Sequence, residues 1–307
     1  MFKKIVTGIA ILTVLAGCET GTTQSPEKKL NSDIAHTQHC NKNKSTDFKE
    51  VKLNSGFVRV YDFGKYKLHN YATQDQLNDQ AYILETSNNL IGIEGPAFPK
   101  DVKAWKEYVT GLNKPLDAIL MAYHPNGGGW QGDAKNYATQ KAIEARTNGS
   151  VHAIITGLNS RFGDDFSTQL IPVDTIVKNG KQSIAGTEFK IMDNDGGYTI
   201  EIPDIKVMYL HMLGSKDHSI LYSQKHIDSL IKELTGYKMA NYKMIITAHS
   251  EPEFADALNT KIKYLHTAKK LYKDSKTGTE FIEKMKTEFP NYSGENYLEM
   301  SASNLFK

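Results

Sequence analysis

Strand-like and helix-like segments alternate along the sequence from Gly56 to the C-terminus, and this order restricts the possible folds more than any other feature. Residues 57–61 and 66–71 alternate apolar and polar side chains, which is typical of half-buried strands. Val102, Trp105 and Val109 then follow helical spacing. Because strands and helices alternate in both halves of the chain, the sequence predicts a layered α/β fold.

The segments between these two patterns predict further strands and helices. Residues 81–86 and 90–94 predict a hairpin around a three-residue turn. Apolar runs predict further strands at residues 117–123, 151–156, 187–192, 198–202, 205–210 and 243–248. Residues 134–145 predict a helix.

Apolar spacing also predicts the helices of the C-terminal half. Residues 227–234 carry apolar side chains at i, i+3, i+4 and i+7, and Gly236 stands where a helix C-cap belongs. Phe254, Leu258, Ile262 and Leu265 predict a further, long helix. Thr277 and Glu280 resemble a capping box, which predicts a helix that ends before Pro290. A last helix is predicted at residues 295–305.

Composition sets limits on the class of protein. The chain has 307 residues, of which 39% are hydrophobic, and this suffices for the core of one large domain or two small ones. The formal net charge is only +2. The lysines are scattered and form no basic stripe with interleaved aromatic residues, so we expect no nucleic-acid partner.

The N-terminus has the pattern of a secretory signal. Lys3 and Lys4 precede an apolar run at residues 5–15, and small residues follow it. The ending "LAGC" resembles the lipobox of bacterial lipoproteins, which implies that Cys18 is lipid-modified. A plain signal peptide with a chance cysteine is the alternative. Glu19 differs from the Asp that is usual in the inner-membrane retention signal, so the outer membrane is the expected location.

These features divide the chain into three predicted parts. Residues 1–17 form the lipoprotein signal peptide, residues 18–50 the lipidated cysteine and a polar tether, and residues 51–307 the folded domain. Cys40 is the remaining thiol and has no intramolecular disulfide partner. With His36 and His39 it could form a zinc-like cluster, or it is a solvated residue of the tether.

Three stretches of the domain resemble the metallo-β-lactamase superfamily in their order. "QAYILETSNNLIGIEGP" is similar to the opening hairpin of that family, "LDAILMAYHPNGGG" stands where its HxHxDH loop follows a strand, and "YKMIITAHSEPE" resembles its late "VVPGH" strand and loop. The closing "FPNYSGENYLEMSASNLF" looks like the tail of one branch of these hydrolases. The resemblance implies a four-layer αββα sandwich with its site at one edge between the two sheets.

The family's metal ligands are mostly replaced in this chain. In the HxHxDH loop the first His is His124, but the next three ligand positions hold Asn126, Gly128 and Gly129. Asp193, Asn194 and Asp195 stand where the family has another His. The position of the bridging Asp holds His211, and the final His matches His249. The resemblance therefore implies that a standard two-zinc site is largely lost.

A simpler metal site remains a hypothesis. His124, His211 and His249 follow strands and are expected at one edge of the sandwich, where three imidazoles could hold one zinc ion and leave a position open for water. Asp193 or Asp195 could then orient an imidazole or act as a base. The alternative is that each His has a structural role in its loop.

Three further residues are candidates for a ligand cleft near this edge. Asn126 stands in the glycine-rich loop, and Trp130 directly follows it and could stack on a sugar or an aromatic ligand; core packing is the alternative. His218 could enter the cleft or lie on the surface of its loop.

Two functions fit this sequence. The favoured interpretation is an envelope lipoprotein without catalysis, or a divergent hydrolase, that binds a small molecule or an envelope protein at the former active-site cleft. The alternative is an active hydrolase of ester, lactone or phosphoester substrates with one metal ion on His124, His211 and His249. A close approach of these three side chains would favour the hydrolase, and their separation would favour the binding protein.

Overall fold

The computed structural model describes residues 47–194 and 196–307. The predicted signal peptide, Cys18, Cys40 and most of the predicted tether lie outside the described residues, as does Asp195. Within the described residues the chain forms fourteen strands, seven α-helices and two short 3₁₀ helices. None of the helices in this part of the chain has the length and apolar character needed to cross a membrane.

The first sheet contains eight strands that lie side by side in chain order. They are β1 (Phe48–Lys52), β2 (Phe57–Asp62), β3 (Lys67–Ala72), β4 (Gln80–Glu85), β5 (Leu90–Ile93), β6 (Leu116–Leu120), β7 (Lys135–Thr139) and β8 (Thr175–Val177). Strands β1 to β5 pair antiparallel, and β5 to β8 pair parallel. Helix α1 (Pro99–Gly111) connects β5 to β6.

The second sheet contains six strands in the order β14-β13-β12-β11-β10-β9. They are β9 (Gly180–Ile184), β10 (Thr187–Asn194), β11 (Gly197–Ile202), β12 (Val207–Leu210), β13 (Met244–Thr247) and β14 (Glu253–Phe254). Only β12 and β13 pair parallel in this sheet, and helix α4 (Gln224–Met239) connects them. The remaining helices are α2 (Gln140–Asn148), α3 (Ser150–Phe162), α5 (Asp256–Lys273), α6 (Gly278–Glu288) and α7 (Glu295–Leu305).

Side chains that alternate along the strands build the layers. Leu84 of β4 and Ile246 of β13 belong to the central core between the two sheets. Their neighbours point the other way: Ile83 packs with Trp105 of α1 on one side, and Ile245 packs with α4 to α7 on the other. The predicted four-layer αββα sandwich is therefore confirmed.

Several predicted elements agree with the structure. The hairpin is formed by β4 and β5, and the last helix spans Glu295–Leu305 as predicted. Thr277 is the N-cap of α6, and its side chain accepts a hydrogen bond from the backbone N–H of Glu280. The Glu280 carboxylate accepts from the backbone N–H of Lys276, the residue before the N-cap, so the structure has a variant of the predicted capping box.

The predicted strand at residues 151–156 is wrong, because these residues belong to helix α3. The β-branched residues of the segment 151–156 favour a strand in the sequence. In the structure, however, apolar side chains at helical spacing pack in one cluster: Val151, Ile155, Leu158 and Phe162.

Two other boundaries also differ. The helix predicted at 134–145 begins only at Gln140, after β7, with Thr139 as its N-cap. Gly236 lies inside α4 and is no C-cap, since the helix continues to Met239.

Candidate metal centre

Three histidines follow three strands that end at the same edge of the sandwich. His211 comes directly after β12, and His249 follows β13 with one residue between them. Because β12 and β13 are parallel neighbours, their carboxyl ends meet at one edge of the second sheet. His124 comes from the loop after β6 of the first sheet. The packing of the two sheets brings all three imidazoles together.

The imidazole nitrogens have the spacing that a tetrahedral metal ion requires. The Nε2 atom of His249 lies 3.2 Å from Nε2 of His124 and 3.2 Å from Nε2 of His211. One ligand atom from each of the three residues lies within 4.8 Å of the other two. Two nitrogens bound tetrahedrally to one zinc ion lie roughly 3.3 Å apart, given zinc–nitrogen bonds of about 2.0–2.1 Å. The cluster therefore fits one ion.

The second nitrogen of His249 is oriented by two acceptors. Its Nδ1 atom lies 3.2 Å from the carbonyl oxygen of Leu77 and 3.2 Å from Oδ1 of Asp79. Both groups only accept hydrogen bonds, so Nδ1 must carry a proton. Burial opposes protonation of this ring, but Asp79 outweighs burial and raises the pKa of His249. In its neutral form the ring directs the Nε2 lone pair at the cluster, which is the arrangement found for histidines that bind metals.

Asp79 places a buried negative charge behind this imidazole. The residue is 1% exposed, and neither carboxylate oxygen has a hydrogen bond of good geometry from a described donor. Burial opposes its ionisation, but the attraction of His124 and His249 outweighs burial and lowers the pKa of Asp79. A buried carboxylate without hydrogen bonds needs a positive charge nearby, which a protonated imidazole or a metal ion provides.

His211 is kept neutral by its surroundings. Burial and the neighbouring His249 and His124 lower the pKa of His211 well below its usual value. The ring stacks on Tyr123, with ring centroids 4.1 Å apart, and the Tyr123 hydroxyl donates a short hydrogen bond to Asn194. A neutral imidazole held by stacking is ready to bind a metal ion without first losing a proton.

His124 is positioned through its backbone by a second buried acid. Glu94, at the end of β5, is fully buried and accepts hydrogen bonds from the backbone N–H groups of Tyr123 and His124. The Tyr209 hydroxyl donates a third hydrogen bond, 2.5 Å long, to Glu94. The sequence analysis missed Glu94 and Asp79. An acidic residue at the end of an apolar strand is the signal that could have found Glu94.

The other residues predicted for the site have different surroundings. Asp193 exchanges hydrogen bonds with Asn179 through its backbone N–H and its Oδ2 atom, while its Oδ1 atom is buried without a partner. Asn126 is buried and donates from its side chain to the carbonyl oxygen of Ser167, 2.7 Å away. Asp195 lies outside the described residues. The catalytic roles of the two Asp residues stay predictions.

Trp130 and His218 are both buried. Trp130 is 3% exposed and packs beside Trp105 in the cluster of the first sheet and α1. The surface location considered for His218 is wrong: it is 2% exposed, and its Nδ1 atom lies 3.3 Å from the Tyr264 hydroxyl. A direct role of either residue in binding a ligand stays a prediction.

Hydrogen bonds from a buried lysine hold the loop that follows His211. Lys261 of α5 is 6% exposed and donates hydrogen bonds to the carbonyl oxygens of Gly214 and Asp217, at 2.9 and 2.8 Å. Burial lowers the pKa of Lys261 to about 8, and Asp217 and Glu253 compensate only in part.

The fold is shared with solved structures of low sequence identity. A stereoselective inverting sec-alkylsulfatase, Pisa1, from Pseudomonas sp. aligns with a TM-score of 0.54 and 15% identity, covering 82% of this chain and 50% of that chain. A metallo-β-lactamase family protein from Thermus thermophilus aligns with a TM-score of 0.52 and 14% identity, covering 78% of this chain and 90% of that chain. This chain thus spans about half the length of the alkylsulfatase.

Sequence comparisons add no closer relative. No family model matches the sequence, and no curated protein matches it. At identities this low, structural similarity shows the fold alone. The fold defines the class: the chain is a protein with the metallo-β-lactamase fold, and three histidines lie at the edge between its sheets.

The buried lysine predicts a specific pH dependence of stability. The folded-state pKa of Lys261 lies below its usual value of 10.5, so between about pH 8 and pH 10 the unfolded chain binds more protons than the folded chain. Stability should therefore rise with pH in this window, by up to about 1.4 kcal/mol per pH unit. Urea unfolding of the wild type and of Lys261→Met measures this contribution as their difference. A difference that stays constant over the window would contradict it.

The buried acid behind His249 predicts an effect on metal affinity. In Asp79→Asn the side chain keeps its shape but loses its negative charge. We expect zinc affinity to fall about 10- to 100-fold, as for other carboxylates that support a ligating histidine. Competition with a chromophoric chelator measures this affinity. The control is Asp204→Asn, which removes an exposed carboxylate paired with Lys65. Equal zinc affinity in both variants would show that Asp79 does not support the site.

Proposed function

We propose that the protein is a hydrolase with a single metal ion held by His124, His211 and His249. The observation that carries the proposal is the convergence of three imidazoles, in which Nε2 of His249 lies 3.2 Å from Nε2 of each of the other two and all three ligand atoms lie within 4.8 Å of one another. Three protein ligands leave a fourth position open, which is typical of catalytic zinc sites and differs from the closed site of a structural zinc.

The donor set and its surroundings suit zinc. Imidazole nitrogens are ligands that zinc prefers, and the lowered pKa of His211 supports a neutral ligand. The buried charge of Asp79 has no hydrogen-bond donor of good geometry, and a divalent cation beside His249 would balance it. When bound, the ion supplies Lewis acidity toward a carbonyl oxygen and toward water.

Other residues near the histidines are proposed to orient the ligands and to accept a proton. Asp79 and Leu77 hold the His249 ring in one tautomer, and Glu94 holds the backbone of the loop that carries His124. Asp193 or Asp195 is the proposed proton acceptor, because both stand in the segment where the metallo-β-lactamase family has another His. Esters and lactones are the proposed substrates, with phosphoesters as a further class.

A single ion is proposed because the loop after β6 offers no second set of ligands. Gly128 and Gly129 have no side chain, and the Asn126 amide donates to Ser167. These features support the loss of the second metal of a two-zinc site. The short distances within the histidine cluster favour a hydrolase over the binding protein without catalysis.

Metal content and hydrolysis test the proposal together. The mature chain with Cys18→Ser, purified without nickel or chelators, should hold about one zinc equivalent by elemental mass spectrometry. His124→Ala and His249→Ala should lose this metal together with hydrolysis of p-nitrophenyl butyrate, because each removes one of three ligands. His152→Ala, which changes an exposed histidine of α3, is the matched control and should keep both. A folded chain without metal after incubation with zinc would refute the proposal.

We also propose that the protein is anchored in the bacterial envelope, most simply at the outer membrane, by lipid on Cys18. The proposal rests on the "LAGC" sequence and the polar residues that follow it. Replacing Cys18 with Ser should move the protein from the membrane fraction to the soluble fraction, whereas Cys40→Ser should leave it with the membranes. Retention of the Cys18→Ser protein in the membrane fraction would exclude a lipid anchor at this residue.

A further inference from the structure

A cleft of about 490 Å³ opens beside His249, next to the histidine cluster. One side is formed by the loop between β3 and β4, which supplies Leu77 and Asn78. The start of α7 supplies Asn296 and Tyr297 on another side. The volume suits a small molecule or the larger part of a substrate whose reacting group lies at the histidines.

The cleft contains no positively charged side chain. None of the described residues that line it is Lys or Arg, whereas Asp217 and Glu251 both line it. Glu251 of the lining is paired with Arg59, which lies 2.7 Å from Glu251 and 3.3 Å from Glu50. Arg59 also lies over the ring of Phe57, 4.7 Å from its centroid. Away from His249, an anionic group in the cleft would therefore meet carboxylates and no lysine or arginine side chain.

Three uncharged side-chain amides supply polar groups in the cleft. The amides of Gln74, Asn78 and Asn296 line the cleft, and they are exposed to solvent. Gln74 and Asn78 have positive φ angles of 57° and 54°, which is unusual for residues with side chains and clusters at functional sites. Amides both donate and accept hydrogen bonds, so they match hydroxyl and amide groups of an uncharged ligand.

Apolar side chains complete the lining. Met212, directly after His211, is 49% exposed, and Phe57 and Tyr297 add aromatic surface. Ligand sites commonly combine an apolar surface with a few polar groups that fix orientation.

We propose that this cleft selects uncharged esters or lactones with hydroxyl or amide groups and rejects substrates that carry an anionic group away from the reacting bond. The inference rests on the proposed hydrolase and narrows its substrates to those in which the groups away from the reacting bond are uncharged. An anionic group bound away from His249 loses hydration without gaining a counter-charge from Lys or Arg, and Asp217 repels it.

A pair of esters tests the selectivity. The zinc-loaded protein is assayed with p-nitrophenyl butyrate and with the p-nitrophenyl monoester of succinate, which has an equally long acyl chain ending in a carboxylate. We expect kcat/KM to be at least about tenfold higher for the neutral ester at low salt, with a smaller ratio at high salt because salt screens the repulsion. Asn296→Lys should decrease the ratio, whereas Thr147→Lys, on the exposed side of α2, should leave it unchanged. Equal or faster hydrolysis of the anionic ester would overturn the inference.

A second measurement is independent of metal and of catalysis. Asn296→Cys is introduced into the chain with Cys18→Ser and Cys40→Ser, and Thr147→Cys provides the surface control. The rates of modification by a cationic and an anionic methanethiosulfonate reagent are compared at both positions. We expect the cationic-to-anionic rate ratio to be several-fold higher at residue 296 than at residue 147. A lower ratio at residue 296 overturns the inference. The expected ratio in a protein that holds no metal would support the charge selectivity while refuting the hydrolase.

Discussion

The face-to-face packing of the two β-sheets is the constraint on which the other features of this protein depend. It requires each strand to bury alternate side chains between the sheets, as Leu84 and Ile246 do, and to present the others to the helices. It also brings strand ends from different sheets to one edge. His124 belongs to the first sheet and His211 and His249 to the second, so the cluster exists only while the sheets are packed together.

The packing of the two sheets buries acidic side chains, which is unfavourable for folding unless their charges are balanced. Glu94 is fully buried, but three donors satisfy its carboxylate, and two of these donors belong to the loop that carries His124. Asp79 is also buried, and its ionised form depends on the histidine cluster, because His124 and His249 lower its pKa against the effect of burial. Groups of this kind destabilise a fold unless they are balanced, which makes them a physical sign that the site binds a cation.

The proposed site and the neighbouring cleft have different charge environments, and this difference suggests a division of roles. The three imidazoles and Asp79 favour a cation at the histidine cluster, whereas the cleft combines two carboxylates with neutral amides and apolar side chains. In the proposed hydrolase, a metal ion at the histidines would polarise the reacting bond, and the cleft would discriminate among the groups attached to that bond. Selectivity of this kind comes as much from unfavourable contacts with the wrong ligand as from favourable contacts with the right one.

The sequence by itself determined the layered α/β class, most strand and helix positions and the three histidines, because apolar periodicity and the ends of strands are local features. It misplaced residues 151–156, because a short β-branched run does not reveal that Leu158 and Phe162 extend the spacing as a helix. Only the tertiary structure decided that Asp79 lies behind His249 and that Glu94 holds the His124 loop. These contacts join residues that are distant in sequence, and their geometry follows from how the two sheets pack.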